Sequence, residues 1–225
     1  GFSVAMNLSS LNGSNGFRLD GEAAYDILGD SVSNAGDVNG DGFDDVIVGA
    51  SSARPNSVGS GSTYVVFGKA SGFSAAMDLS SLDGSNGFRL DGEAAFSGRS
   101  VSTAGDVNGD GFDDLIIGTW GGSYVVFGKA SGFSAAMDLS TLNGSNGFRL
   151  DGGFSVSSAG DVNGDEFDDL IVGAPGVDSN GVVDSGSSYV IFGRSDFSSG
   201  LPEIVGTSGD DILKGTSADE RFEAG

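Results

Sequence analysis

Across 225 residues the chain carries 32 acidic and 10 basic side chains, a net charge of −22, with no cysteine and no histidine. That composition excludes a disulfide framework, a Cys/His zinc site and any catalytic triad needing His, and it argues against nucleic acid and anionic membranes as partners. Glycine, 41 of 225 against the usual ~7%, with hydrophobic residues at only 38%, fits an all-β chain of many short strands and tight turns.

The length suits one large β domain. No apolar run approaches the ~18 residues of a membrane span, so no membrane insertion is expected, and nothing resembles a signal peptide. A chain opening on Gly1 rather than Met reads as a processed product or a segment of something longer. From Gly1 runs GFSVAMNLSSLNGSNGFRLDG, which returns almost verbatim from Gly72 and Gly132, as recent duplication would leave it. Its closing GFRLDG, first at Gly16–Gly21, reads as a strand, D. A second strand, A, begins at Ser31, Ser100 and Ser155. A short apolar run such as Val46, Ile47 and Val48 makes strand B, and YVVFG or YVIFG at Tyr64, Tyr124 and Tyr189 makes strand C.

Between A and B lies the stretch that organises the chain. AGDVNGDGFDDVIVGA (Ala35–Ala50) recurs as AGDVNGDGFDDLIIGT (Ala104–Thr119) and as AGDVNGDEFDDLIVGA (Ala159–Ala174). Oxygen-bearing side chains occupy alternate positions, Asp37, Asn39, Asp41 and Asp45 in the first copy. Ca²⁺ takes about 6–8 oxygen ligands, and a tightly curled loop can aim alternate side chains and one backbone carbonyl at a single centre. Gly42 and Gly111 allow the sharp turn. The distant bidentate Glu of an EF-hand is missing, and the last Asp closes the loop instead. Solvated Asn-Gly and Asp-Gly turns are the plain alternative, but three identical ligand sets favour calcium, about three ions per chain. Without an ion the crowded carboxylates would repel one another.

Four strands per unit, in repeats of about 60 residues, point to β-propeller blades of four antiparallel strands, with three repeats per chain. The expected boundaries are strand D at 16–21, blade 1 at about 31–92, blade 2 at about 99–152 and blade 3 at about 154–194. A linker and tail then cover 195–225. The calcium loop never changes length. The B–C connection does (Gly49 to Tyr64, Gly118 to Tyr124, Gly173 to Tyr189), and so does D–A (Leu19 to Val32, Leu90 to Val101, Leu150 to Val156). All variation thus falls on the face opposite calcium, either because that face recognises a ligand or because its loops are unconstrained. Blade 3 has no GFRLDG after Phe192, whereas the first GFRLDG precedes any blade of its own. That strand could complete blade 3 within the chain or in a neighbouring copy. The second option gives a homodimer closing a six-bladed ring; a cut from a longer propeller is the competing explanation.

The run SVSNAGDVNGDGFDDVIVGA followed by STYVVFG resembles the FG-GAP repeat of integrin α-type β-propellers, over nearly all of 1–194. The resemblance implies Ca²⁺ in each A–B loop. The implied ligands are Asp37, Asn39, Asp41, the Phe43 carbonyl and Asp45; then Asp106, Asn108, Asp110, the Phe112 carbonyl and Asp114; then Asp161, Asn163, Asp165, the Phe167 carbonyl and Asp169. Glu166 departs from the pattern, and if its position needs positive φ the third site should be weaker or distorted. From Gly206 the chain resembles an RTX (hemolysin-type) calcium-binding nonapeptide array (Gly206, Gly209, Asp211, Leu213). The next unit, at Gly215, is degraded at Ala218, Glu220 and Phe222. One such turn reads as a frayed tail rather than a site.

These resemblances imply a calcium-stabilised adhesion or recognition module of a secreted or cell-surface bacterial protein, not an enzyme, with a protein or glycan ligand on the variable face. Tyr25, Arg54, Arg99 and Trp120 are the side chains there best able to anchor one. The alternatives are a polysaccharide hydrolase or lyase using Glu22, Asp30, Asp178 or Asp184 as acid and base, or a structural spacer in a giant repeat protein.

Overall fold

A computed structural model describes residues 5–56, 59–93, 96–178 and 182–198. Fourteen strands are found among them. They are β1 (Arg18–Asp20), β2 (Leu28–Gly36), β3 (Asp45–Ala50), β4 (Ser62–Val66), β5 (Ala76–Asp78), β6 (Gly87–Asp91), β7 (Ser100–Gly105), β8 (Asp114–Thr119), β9 (Gly122–Val126), β10 (Ala136–Asp138), β11 (Gly147–Asp151), β12 (Ser155–Gly160), β13 (Asp169–Ala174) and β14 (Ser187–Ile191). The described residues hold no α-helix, only single 3₁₀ turns at Leu8–Ser10, Leu79–Ser81 and Leu139–Thr141. Among the described residues no helix is long and apolar enough to cross a membrane.

The strands form three main sheets in chain order. The first is β2-β3-β4-β6, extended by β10; the second is β7-β8-β9-β11; the third is β12-β13-β14. Within each sheet neighbouring strands are antiparallel, except that β10 joins β6 in parallel. The expected A, B, C and D strands are therefore all present, with A starting earlier than expected in the first unit, at Leu28. Fold class is all-β, with several repeated sheets.

The GFSxAMxLS segments, to which the sequence reading assigned no strand, carry structure of their own. Their AMD stretches form β5 and β10, each running straight into a 3₁₀ turn whose N-cap, Asp78 or Asp138, accepts from the N–H two residues on. Each such segment clamps the strand D of the unit before it. β10 pairs with β6, β5 pairs with β1, and Phe133 stacks on Phe88 just as Phe73 stacks on Phe17, both at 4.1 Å. Phe197 repeats the contact on Phe148 at 4.3 Å. This corrects one of the two expected fates of the first strand D. β1 is held beside the first sheet by β5 and does not complete the third sheet within the chain.

The core is made between sheets. Ile47, Val65, Phe67 and Phe88 of the first meet Val101, Leu115, Ile117, Tyr124 and Val126 of the second. Ile116, Val125 and Phe127 on the second sheet's other face meet Val156, Leu170 and Val172 of the third. Because successive strand residues face opposite sides, LIIGT buries its side chains both ways, and VIVGA does so from Ile47 onward with Val46 exposed, which is why the B strands carry apolar runs. Each large aliphatic residue buried here contributes about 1.5–3 kcal/mol. The RTX-like tail lies outside the described residues.

Candidate metal centres

Each A–B loop is curled by its own side chains. In the first loop Asp37 Oδ1 accepts from Asp41 N–H (3.0 Å) and Oδ2 from Gly42 N–H (2.8 Å); Asn39 Oδ1 accepts from Asp41 N–H (2.8 Å) and Asp41 Oδ1 from Phe43 N–H (3.0 Å). The second loop repeats the set through Asp106, Asn108 and Asp110, at 3.0, 2.8, 2.8 and 3.1 Å. In the third, Asp161, Asn163 and Asp165 make the same bonds at 3.1, 3.1, 3.0 and 3.1 Å. Four side-chain acceptors bound to N–H groups of one short loop draw the alternate positions inward, and the sequence spacing predicts that arrangement.

The closing Asp is the buried member. Asp45 stands at the start of β3 and accepts from Val38 N–H (3.1 Å) and Gly68 N–H (2.8 Å), tying loop, strand B and strand C together. Asp114 does the same with Val107 and Gly128, and Asp169 with Val162 and Gly193. Burial pushes the Asp45 carboxyl up to about 7 against the lowering effect of those two N–H groups, and the charges of Asp41 and Asp37 add to the rise. Asp114 is pushed up to about 8 by burial, with Asp110 and Asp106 adding to it. A buried carboxylate disfavoured by two neighbouring carboxylates is an arrangement that a divalent cation relieves. Among the described residues no three acidic side chains gather into a metal cluster by themselves; each candidate set also needs its Asn and a backbone carbonyl. Hard oxygen donors alone make up the set, which fits Ca²⁺.

Glu166 adopts φ +74°, where its counterparts Gly42 and Gly111 both stand at +89°. The hydrogen-bond pattern around it is kept, so the third loop is strained at one residue without being rebuilt.

A neighbouring Asp carries a role that sequence reading missed. Asp113, between Phe112 and Asp114, reaches back so that its Oδ2 accepts from Asp37 N–H (2.8 Å) in the preceding loop; Asp168 accepts from Asp106 N–H (2.9 Å). The loops are thereby chained to one another. The doubled Asp of FDD was the available signal, since only one of the two belongs to the expected ligand set.

On the opposite rim, Glu22, Tyr25, Arg54 and Arg89 line a cleft of about 320 Å³ together with Asp26 and Tyr64. Two of the four expected anchors, Tyr25 and Arg54, are thus brought together. The other two meet over an unforeseen residue: Trp120 packs edge-on to Phe154 (5.8 Å), and the Arg99 guanidinium lies 5.4 Å from the same ring. Tyr25, Ile27, Phe96 and Asp184 hold positive φ on this rim, a concentration of strained non-glycine backbone. Three of the acids expected as catalytic alternatives have partners of their own, Glu22 within the cleft itself. Glu22 pairs with Arg89 (3.0 Å), Asp30 accepts from the Ser51 hydroxyl, and Asp178 accepts from Asp184 N–H.

The FG-GAP repeat family matches at 28–66, 97–132 and 152–191, just over half the chain and in each case spanning strands A to C with the loop. The chain belongs to the FG-GAP repeat family. Among relatives, integrin alpha-PS5 of Drosophila melanogaster is 32% identical over 169 residues, 71% of this chain and 16% of that protein. Integrin alpha-V of Gallus gallus is 30% identical over 190 residues, 77% of this chain and 17% of that protein. Phosphatidylinositol-glycan-specific phospholipase D of Bos taurus is 32% identical over 185 residues, 73% of this chain and 21% of that protein. The FG-GAP region therefore corresponds to about a fifth or less of these relatives' length.

Proposed function

We propose that the chain is a calcium-binding β-propeller module serving adhesion or recognition, its three sheets acting as blades with one structural Ca²⁺ in each A–B loop. One observation supports it most: three loops, far apart in sequence, curl their oxygens by the same hydrogen bonds against a buried Asp, and in the first two loops burial and like charge disfavour that carboxylate. The residues that would hold the ion are Asp37, Asn39, Asp41, Asp45 and the Phe43 carbonyl, with their equivalents in the other loops. Calcium bound there supplies the positive charge that lets these carboxylates stay ionised inside the fold. The chain's own residues do the rest: the Asp45 bonds to Val38 and Gly68 fix strands B and C to the loop, and the Asp113 bond to Asp37 passes that order to the next blade.

The opposite rim is the recognition surface in this reading, with Tyr25 and Arg54 at the cleft and Trp120 with Arg99 around Phe154. A protein or glycan ligand fits its mixture of exposed aromatic and guanidinium groups. The module belongs to a secreted or cell-surface bacterial protein, in keeping with the RTX-like stretch from Gly206 and the absence of cysteine. The test is a binding screen against glycans and matrix proteins in calcium, with a polysaccharide hydrolysis assay beside it. Binding lost in Tyr25→Ala or Trp120→Ala, with thermal stability unchanged, supports recognition. Substrate turnover, or binding indifferent to both substitutions, contradicts it.

A further inference from the structure

The closing acids of the three loops are joined by one continuous run of hydrogen bonds. Asp45 Oδ2 accepts from Val38 N–H (3.1 Å), and the Val38 carbonyl accepts from Lys129 N–H (2.9 Å). Just before Lys129 stands Gly128, whose N–H donates to Asp114 Oδ1 (2.9 Å). From Asp114 the pattern repeats: its Oδ2 accepts from Val107 N–H (3.1 Å), the Val107 carbonyl from Arg194 N–H (2.8 Å), and Asp169 Oδ1 from Gly193 N–H (2.9 Å). Val38 and Val107 are fully buried, so water does not compete for these bonds.

A second tie runs beside the first, through residues next to the candidate ligands. Asp113 lies between Phe112, whose carbonyl belongs to the second ligand set, and Asp114. It holds both backbone groups of Asp37, the first residue of the preceding set: its Oδ2 accepts from Asp37 N–H (2.8 Å), and its own N–H donates to the Asp37 carbonyl (3.3 Å). Asp168 holds Asp106 in the same way, at 2.9 and 3.1 Å. The fit is close. A Cβ at Gly36 would collide with the Asp113 carboxylate and one at Gly40 with the Phe112 ring, and Gly105 and Gly109 meet Asp168 and Phe167 in the same manner. The stretch Phe112–Asp114 therefore serves two loops, and a shift of it in the second displaces the backbone of the first.

We infer, on the reading that each loop holds Ca²⁺, that the three sites fill cooperatively, with Asp113 and Asp168 as the positioning residues that carry the coupling. Without an ion, repulsion among the acidic ligands works against the curled loop. An ion that fixes Phe112–Asp114 in the second loop also fixes the grip on Asp37 and Val38, so the first loop meets its ion already ordered. By linkage the help is reciprocal, and neighbouring sites raise each other's affinity by the same factor. The expected size is about tenfold per junction, within the usual range for coupled sites and close to the effect of one hydrogen bond. Charge opposes the coupling only weakly. One divalent ion leaves the three acidic ligands of a loop short of neutral, and salt screens the repulsion that remains between filled loops.

The N–H groups of Gly42, Gly111 and Glu166 each bond to the first Asp of their own loop, so they give one amide signal per site. Chelator-treated, isotope-labelled chain is titrated with Ca²⁺ and followed by NMR at these three signals, with calorimetry giving the total bound. The signals of Gly42 and Gly111 are expected to convert together, in low salt and in high. Asp113→Ala removes no ligand, so the number of ions bound should stay the same, but Gly42 should then convert separately from Gly111, at about tenfold higher free calcium. Asp113→Asn keeps an oxygen that accepts from Asp37 N–H and should retain the coupling, which a role of the charge alone would not allow. Independent conversion of the three signals in the unmodified chain, or joint conversion that survives Asp113→Ala, would overturn the inference while leaving calcium binding intact. No heat of binding would overturn the calcium reading as well, so the two failures are told apart. The unmodified chain already separates joint from independent filling, and the test does not depend on any variant folding.

Discussion

Replacing Glu166 by glycine should stabilise the protein. The left-handed conformation costs an L-residue about 1–2 kcal/mol, and Glu166 holds it at φ +74°. Glycine removes that cost but adds about 0.5–1 kcal/mol of chain entropy to the unfolded state. No atom lies within 4 Å of a Cβ at Gly42 or Gly111, so crowding adds nothing to either side of the comparison. The net expectation is a gain of roughly 0.5–1 kcal/mol, or about 1–4 °C for a domain of this size. Glu166 also carries a charge beside four other acids, so Glu166→Gln serves as control: it removes the charge and keeps the backbone cost. Thermal unfolding in chelator and in calcium reads both. The backbone account expects the glycine variant to exceed the glutamine variant in both media, and Gly42→Glu to lose a comparable amount. Equal gains from glycine and glutamine, or no loss in Gly42→Glu, would refute it.

Asp114→Asn keeps shape but offers an amide where the N–H groups of Val107 and Gly128 both need an acceptor; it should cost about 1–3 kcal/mol without metal and remove one calcium equivalent by calorimetry. Metal-free stability should fall as pH rises from about 5 to 8. Asp45 and Asp114 hold their protons in the folded state to about 7 and 8 but release them near 3.8 when unfolded, so the folded form binds more protons across that window. Calcium competes with those protons, and the rise in Tm on adding it should be larger at pH 8 than at pH 5.5. Asp113→Ala should lower stability by about 1–3 kcal/mol through loss of the bond from Asp37, whereas Asp44→Ala, which has no such bond among the described residues, should leave unfolding unchanged; paired denaturant titrations compare them.

What could be read in the sequence was what repeats within one unit. Alternating Asp and Asn, followed by an apolar run, specified loop and strand B, and the recurring YVVFG and GFRLDG motifs specified C and D. The β5 and β10 segments escaped because three-residue strands such as AMD show no periodicity. Their structure comes from clamping another unit's strand D, and pairing across units leaves no mark in either segment alone. Asp113 and Asp168 escaped for a related reason: each stands beside a metal candidate and serves the preceding loop. Phe154 at the rim lies within a connection whose length differs in every unit, so no second copy marked it. Glu166 is the converse case. One departure from an otherwise invariant glycine was enough to foresee the positive φ, because backbone geometry is a local property.

The central claim is that the three loops are calcium sites, and calorimetric titration of chelator-treated protein with Ca²⁺ tests it most directly. The account predicts about three equivalents per chain, a rise in Tm with bound calcium, and loss of one equivalent in each of Asp45→Asn, Asp114→Asn and Asp169→Asn. No heat of binding, together with unfolding unchanged by chelator, would contradict it and leave the loops as solvated turns closed by their own hydrogen bonds.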